Sequence, residues 1–412
     1  MRYGLIGEKL GHSFSKEIHE ALGYYKYEII EVSRDSFDQF MINRDFTSIN
    51  VTIPYKEKVI PYLSYIDDKA KVIGAVNTVV NKDGKLYGYN TDYYGLKSLI
   101  ERLKINVKNK HALILGTGGT SKTCKAVLTD LGIKEITFVS INNEPGTITY
   151  EVAEKEYTNV DLIFNTTPCG MYPNNDDLII NLDNFNNLTG IVDVIYNPLN
   201  TRLALEAKKR NIKVINGLYM LVSQAVHASS IFLDNQYDDE KTNKIYESIV
   251  KEKENIVLIG MPSCGKSTIG KKISNELNKP FIDTDKLIAE KIEMSIKEFI
   301  EIYGENEFRK VESDVIKEVS LLNNVVISTG GGVIKREINM NRLKANGKVI
   351  FIDRDLELLK PTDSRPLSNN WEDMKKLYNE RYPIYNYYAD YVQKNNYEPF
   401  ELAADELIEK LK

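Results

Sequence analysis

Short apolar runs, continuous rather than alternating, recur between helical stretches along the whole chain. HALILG, EITFVS, VDLIFNTT, GIVDVIY and IKVINGL come first; IVLIG, VVISTGG and KVIFID follow. An unbroken apolar run has no polar face to turn toward water, so such a strand must be covered on both sides. Strands alternating with helices supply that cover, and they build parallel α/β sheets. That is the expected fold class.

Two of these runs end in glycine-rich turns. The later turn, within NIVLIGMPSCGKSTIG, has the spacing Gly260-x-x-x-x-Gly265-Lys266-Ser267 of a loop that cradles phosphates with its backbone N–H groups. The earlier, within ALILGTGGTSKT, reads Gly116-x-Gly118-Gly119-x-Ser121 and opens a helix. It fits a dinucleotide site, with the pyrophosphate at the helix N-terminus. Ser121 stands where glycine or alanine is usual, so a plain strand-to-helix turn is the other reading. Between the turns lies DNQYDDEKTNKIYESIVKEKEN, polar and charged, with Ile245 and Ile249 spaced for one face of a helix. The boundary falls near residues 251–254. The expected domains are 1–252 and 253–412.

Charge and cysteine narrow the class. A net charge of -5 gives no basic surface for nucleic acid or an anionic membrane. Cys124, Cys169 and Cys264 are far apart and odd in number, which fits a reducing, cytoplasmic setting rather than a disulfide framework. No apolar run reaches membrane-spanning length. The oligomeric state stays open, monomer or homodimer.

The residues before the first turn include GHSFSKEIHEAL with Ser13 and Ser15 in a loop before a helix, and INVTIPYKEKV with Asn50, Thr52 and Lys56. GAVNTVV supplies Asn77, GYNTDYYG supplies Thr91 and Asp92, and NGLYMLVSQAVHA carries Gln224. Taken singly, Ser13 is a helix cap, Asn77 a turn residue and Lys56 a surface lysine. Taken together with LGTGGTSK and FNTTPCGMYP, they resemble shikimate dehydrogenase over residues 1–234.

The resemblance implies an NADPH-dependent reduction of 3-dehydroshikimate to shikimate, with NADH as the other possible cofactor and quinate as a broader substrate. It implies a substrate lobe of about 1–100 and 218–245, a Rossmann lobe of about 101–217, and a closing helix of about 219–233. By the same resemblance, Ser13 and Ser15 hold the substrate carboxylate. Asn50, Thr52, Asn77, Thr91, Tyr196 and Gln224 line its ring. Lys56 and Asp92 are the catalytic pair, the chemistry a ketone reduction needs, because an ammonium can give a proton to the developing oxyanion. Gly116, Gly118, Gly119, Lys122, Ser140, Asn165, Thr166 and Gly217 are the expected cofactor contacts. After the second Rossmann strand stands Ser140-Ile141-Asn142, neither acidic for NAD nor basic for NADP. Lys122 is the cation available to a 2′-phosphate.

The second half combines the phosphate loop with DTD, GENEFRKVE, STGGG, RPL and ERYPIYNYYA. It resembles shikimate kinase over residues 255–412, a P-loop domain with a parallel sheet. Gly260, Ser263, Gly265, Lys266, Ser267 and Thr268 are then the ATP contacts, and Ser267 and Asp283 the Mg²⁺ ligands. Asp285 would orient the attacking hydroxyl. Arg309 and Arg381, with Gly331 and Gly332, would bind shikimate, and Arg365 would ride on a lid. The segment before RPL is short, with Lys360 the nearest cation to the adenine. Cys264 is either a small residue that fits the loop or a thiol activated by it. A dehydrogenase fused to a non-catalytic nucleotide-binding module is the competing reading. Small molecules, and no nucleic acid or membrane, are the expected partners.

Overall fold

The computed structural model describes residues 2–11, 14–142, 144–360 and 370–411. Two compact units result: residues 1–171, 178–196 and 206–249 form the first, and 172–177, 197–205 and 250–412 the second.

The first unit holds two six-stranded sheets. One is built from β1 (Tyr3–Gly7), β2 (Tyr27–Glu31), β3 (Ser48–Val51), β4 (Tyr65–Ile66), β5 (Thr78–Lys82) and β6 (Lys85–Tyr89), in the order β2-β1-β3-β5-β6-β4. This sheet is mixed rather than parallel, because β5 runs antiparallel to both β3 and β6. The cause is local. Asp83 and Gly84 both have positive φ, 52° and 79°, and form the tight turn that folds β5 back onto β6.

The other sheet is fully parallel: β7 (His111–Leu115), β8 (Glu135–Val139), β9 (Thr147–Ile148), β10 (Leu162–Asn165), β11 (Gly190–Asp193) and β12 (Lys213–Asn216). The order β12-β11-β10-β7-β8-β9 reverses direction between β7 and β10. That crevice, at the carboxyl ends of the strands, is where open α/β sheets bind ligands. The four residues of β10 and of β11 are all buried, the apolar ones as expected and the terminal Asn165 and Asp193 because they are hydrogen-bonded to each other.

The chain then returns to the first sheet through the helix Leu218–Leu233. This helix lies against the helix Thr91–Leu103, and a glycine sets the closeness. A Cβ on Gly95 would meet the Met220 carbonyl at 2.7 Å and the Gln224 Cβ at 2.9 Å. The charged stretch beyond it forms the helix Asp239–Lys253, with Ile245 and Ile249 buried.

The second unit has one parallel sheet of β13 (Asn255–Ile259), β14 (Phe281–Asp283), β15 (Val326–Ser328), β16 (Gly347–Asp353) and β17 (Tyr391–Lys394), ordered β14-β15-β13-β16-β17. Val257, Leu258, Ile350 and Phe351 sit at its centre, fully buried. Each such side chain stabilises the fold by about 1.5–3 kcal/mol relative to exposure. Among the described residues no helix is long and apolar enough to cross a membrane. None of the three cysteines is in a disulfide among the described residues.

Candidate active sites

In the first unit, β3 and β5 bring polar side chains into a buried cluster. Asn50 faces Thr78 across the antiparallel pair. Its amide donates to Thr78 Oγ1 at 3.0 Å and to the Asn77 carbonyl at 3.2 Å, and its Oδ1 accepts from the Tyr27 hydroxyl at 2.7 Å. The helix Thr91–Leu103 starts beside it, capped by the Asn90 side chain. The Thr91 N–H donates to Asn77 Oδ1 at 2.7 Å, and its hydroxyl lies 3.3 Å from Gln224 Oε1 on the returning helix. At the rim, the Lys56 ammonium donates to Asp92 Oδ2 at 2.6 Å. The two side chains are 30% and 19% exposed, so the pair is reachable by a small molecule.

Three more of the expected residues are placed by contacts of their own. Thr52 is half-buried and packs its methyl where a Cβ on Gly7 would come within 2.8 Å. Tyr196 is half-buried, its ring edge-on to Phe14 at 5.8 Å. Ser15 is not in a loop: it is the first residue of the helix Ser15–Ala21, and it is buried. Ser13 lies outside the described residues.

The glycine turn at the end of β7 leaves room for a ligand. Gly116 has φ +98°, and a Cβ there would meet Thr167 at 2.8 Å. A Cβ on Gly118 or Gly119 would meet nothing within 4 Å, so the start of the helix Gly119–Asp130 is open. The Ser121 hydroxyl donates to the Gly118 carbonyl at 2.6 Å, which closes the turn and accounts for a serine there. At the end of β10, Asn165 donates to Asp193 Oδ1 at 3.0 Å and Thr166 donates to the Leu115 carbonyl at 2.7 Å. Gly217 permits close passage of the chain, since a side chain there would run into the Val194 carbonyl. Ser140 is buried, its N–H bonded to the Ile148 carbonyl at 2.9 Å. Lys122 is paired with Glu57 at 2.9 Å.

In the second unit a cavity of about 730 Å³ is lined by the phosphate loop and by residues from all the later motifs that are described. Gly260, Ser263 and Gly265 take positive φ, which lets the loop curl around its own N–H groups. The buried Lys266 ammonium donates to the carbonyls of Gly260 and Met261 at 3.0 and 2.9 Å. Cys264 is fully buried, its Sγ 3.8 Å from Lys266 Nζ. Thr268 lines the same cavity.

Ser267 donates to Asp283 Oδ2 at 2.7 Å, while Asp283 Oδ1 caps the helix Thr284–Ile292. A hydroxyl beside a carboxylate is a hard-oxygen set that suits Mg²⁺. Asp285 lines the cavity, and a Cβ on Gly330 would collide with its Oδ1. A Cβ on Gly332 would likewise strike the Arg309 guanidinium.

Arg309 donates to both Glu312 oxygens, at 2.9 and 3.0 Å, and to Glu305 at 2.9 Å. Burial raises the Glu312 carboxyl above its ordinary range, with Arg309 opposing. Burial also works against the Arg309 charge, but Glu312 and Glu305 outweigh it and hold its pKa up. Arg381 donates through Nη1 to the Gly331 carbonyl at 3.0 Å. Its Nε and Nη2 are buried with no hydrogen-bond partner among the described residues. A buried guanidinium left so is costly unless an anion takes the free donors. Arg365 lies outside the described residues.

Comparisons with known proteins fit these two sites. The model of the shikimate dehydrogenase substrate binding domain matches residues 5–79, and that of shikimate kinase matches residues 262–412. A shikimate dehydrogenase (NADP(+)) of Clostridium beijerinckii is 41% identical over 267 residues, covering 61% of this chain and 98% of the relative. The chain belongs to the shikimate dehydrogenase family. Another shikimate dehydrogenase (NADP(+)), from Staphylococcus epidermidis, is 35% identical, over 58% of this chain and 94% of the relative. Among solved structures, a chorismate mutase/shikimate 5-dehydrogenase fusion protein from Clostridium acetobutylicum aligns with TM-score 0.57 and 35% identity, over 60% of this chain and 96% of that one. Shikimate 5-dehydrogenase from Thermus thermophilus, in complex with NADP(H) and shikimate, aligns with TM-score 0.54 and 26% identity, over 60% and 99%.

Some members of the two sites escape a reading of the sequence. In the dehydrogenase-family unit, Thr78 joins Asn50, Asn77 and Thr91, and Asp193 anchors Asn165. Asp193 had a signal, a carboxylate inside the otherwise apolar GIVDVIY. In the kinase-like unit, Glu305 binds Arg309 across one helical turn, and the spacing would have revealed it.

Proposed function

We propose that the chain catalyses two consecutive reactions, reduction of 3-dehydroshikimate to shikimate and phosphorylation of shikimate at the hydroxyl just formed. One observation supports each half. For the first it is the 2.6 Å Lys56–Asp92 pair at the rim of a cluster of uncharged hydrogen-bonding side chains. For the second it is the one cavity that holds both the phosphate loop and the Arg381 donors that have no partner among the described residues.

When bound, NADPH supplies the hydride of the first reaction and ATP the phosphoryl group of the second. The open turn at Gly118 and Gly119 and the crevice between β7 and β10 suit the dinucleotide. Asn50, Asn77, Thr91 and Gln224 orient the ring, Ser15 and Ser13 the carboxylate. Lys56 gives its proton to the carbonyl oxygen as negative charge grows there, and Asp92 keeps the ammonium charged and aimed. In the second unit Lys266 neutralises phosphate oxygens, Ser267 and Asp283 hold Mg²⁺, and Arg381 and Arg309 grip the shikimate carboxylate. Asp285 accepts the hydroxyl proton, and Arg365 offsets charge on the transferred group. The order is chemical: a ketone has no O–H with which to attack phosphorus. Three cysteines outside any disulfide among the described residues fit a cytoplasmic setting.

The test gives the purified chain 3-dehydroshikimate, NADPH and MgATP and follows products by mass spectrometry. Shikimate 3-phosphate is expected. A reaction that stops at shikimate defeats the second half of the reading; no oxidation of NADPH or NADH defeats the first.

A further inference from the structure

The cavity of the second unit is lined by the phosphate loop and by two further groups of residues. Asp285, Arg309 and Arg381 gather around Gly330, Gly331 and Gly332. Arg354, Leu358, Glu398 and Phe400 are joined by the contacts of Arg354, with Lys360 close to Ser263. Arg354 is the unexpected member. It follows β16 directly, in FIDRDLELLK, yet its side chain is only 2% exposed.

Its guanidinium is spent on backbone. Nη1 donates to the carbonyls of Asn395 at 2.7 Å and Tyr397 at 3.1 Å, and Nε donates to the Leu358 carbonyl at 3.1 Å. Nη2 reaches the Glu398 carboxylate at 3.1 Å, and the guanidinium carbon lies 4.8 Å from the centre of the Phe400 ring. One side chain thus ties the turn 356–360 to the segment 395–400. The same segment braces the phosphate loop. Asn395 Nδ2 donates to the Cys264 carbonyl at 2.8 Å, and a Cβ on Gly265 would meet Asn395 at 2.7 Å and Phe400 at 3.1 Å. On the other side Ser263 donates to the Lys360 carbonyl at 3.0 Å.

A planar fork with five donors can satisfy three carbonyls, a carboxylate and an aromatic face at once; an ammonium cannot. We infer that Arg354 is a positioning residue for the nucleoside half of the bound nucleoside triphosphate. It fixes the turn 356–360 and the segment 395–400 as the two walls between which base and ribose lie, while the phosphates occupy the loop. This rests on the kinase reading only in taking the ligand to be ATP. The hydrogen bonds of Arg354 go to Leu358, Asn395, Tyr397 and Glu398, whereas Arg381 is held by Gly331, so shikimate binding should not depend on Arg354.

The experiment uses the full chain and measures binding rather than turnover. The Kd of MgADP and of shikimate are determined by calorimetry for the unaltered chain, Arg354→Lys and Glu398→Gln. Loss of charge-assisted hydrogen bonds in Arg354→Lys should weaken ADP about tenfold or more, with shikimate Kd within about twofold. Glu398→Gln should weaken ADP by less than about threefold, since the carboxylate is largely exposed and three carbonyls still hold the guanidinium. NADPH oxidation by the first unit checks that the chain is intact. An ADP Kd in Arg354→Lys within twofold of the unaltered chain overturns the inference. So does equal weakening of ADP and shikimate, which would mark general loosening of the unit, or a larger loss in Glu398→Gln than in Arg354→Lys. A chain that binds ADP but leaves shikimate unphosphorylated defeats the proposed reaction and leaves this inference to its own readout. One that does not bind ADP defeats both.

Discussion

Lys56 and Asp92 are 36 positions apart in sequence and 2.6 Å apart in space. Lys56 belongs to the segment leaving β3, and Asp92 to the first turn of the helix that starts after β6. A carboxylate at a helix N-terminus is favoured by the helix dipole. The helix therefore stabilises the charge that in turn holds the ammonium in place.

Lys56→Met should abolish ketone reduction while leaving the phosphorylation of added shikimate unchanged. Loss of a general acid costs about 10²–10⁴-fold in rate. The check is kcat for NADPH oxidation beside a separate assay of the second reaction. A variant that keeps more than a tenth of the reductase rate would place the proton donor elsewhere.

Arg381→Met removes two buried donors that have no partner among the described residues. The empty protein should lose little stability, because the group removed is poorly satisfied. Shikimate affinity should fall about 10- to 100-fold, the worth of hydrogen bonds to a charged group. Calorimetric titration with shikimate decides; an unchanged Kd means that the carboxylate binds elsewhere.

Gly332→Ala tests the neighbouring approach. Its φ is -103°, so alanine fits the backbone, and the new methyl meets the Arg309 guanidinium at close range. Displacing that guanidinium should raise KM for shikimate about tenfold, the equivalent of ~1.4 kcal/mol, with KM for ATP little changed. Equal rises in both would point to the loop as a whole.

His19 gives a pH signature to the first unit. It is fully buried between Tyr25 and Tyr27, and burial lowers its pKa from 6.5 to about 3, with Asn50 opposing. The unfolded chain takes up this proton near pH 6.5 and the folded chain only near 3. Between those values the unfolded state binds more protons, so stability falls as pH drops, by up to about 1.4 kcal/mol per unit. Well above pH 6.5 neither state binds the proton and the residue contributes no slope. His19→Gln should flatten the dependence of the urea midpoint between pH 6 and pH 5; an unchanged slope would show that the imidazole titrates freely in the folded state.

Glu57 competes for the cation that a 2′-phosphate would use. Residues 140–149 contain no lysine or arginine and one carboxylate, Glu144, and Lys122 is held by Glu57. Glu57→Gln should raise the preference for NADPH over NADH by about two- to fivefold, the range for an exposed ion pair. The ratio of kcat/KM for the two cofactors is the measurement, and no change would remove Lys122 from the cofactor site.

The parts of this fold that were legible are those governed by one local rule. β10, β11 and β13 are buried on both faces, and a run of apolar residues, with one hydrogen-bonded polar residue at a strand end, meets that requirement. The glycine turns were legible because positive φ at Gly116 and Gly265 leaves few other choices. The mixed first sheet was harder to read. Its central strands β1 and β3 are buried, but its edge strand β2, with the sequence YEIIE, is half-exposed and weakly patterned, and the turn residues Asp83-Gly84 are its main local mark. What the sequence hides is pairing. That Asn50 meets Thr78 depends on strand register, and that Thr91 meets Gln224 depends on how two helices cross. Ser15 was placed in the loop before the helix because serine is a weak helix former, whereas the helix already begins at Ser15, with Phe14 in the cap position. Arg354 gave no sign, since an arginine after a strand is ordinarily solvated.

Gly95 carries no reactive group and touches no expected ligand, yet the distance between Thr91 and Gln224 depends on it. A methyl there would wedge apart the two helices that bring these residues together. Variation at this position would therefore be constrained as tightly as at a catalytic residue, for a reason that no inventory of chemical groups would reveal. An attempt to reshape the first site for a bulkier substrate has its adjusting screw at Gly95, behind the wall rather than in it.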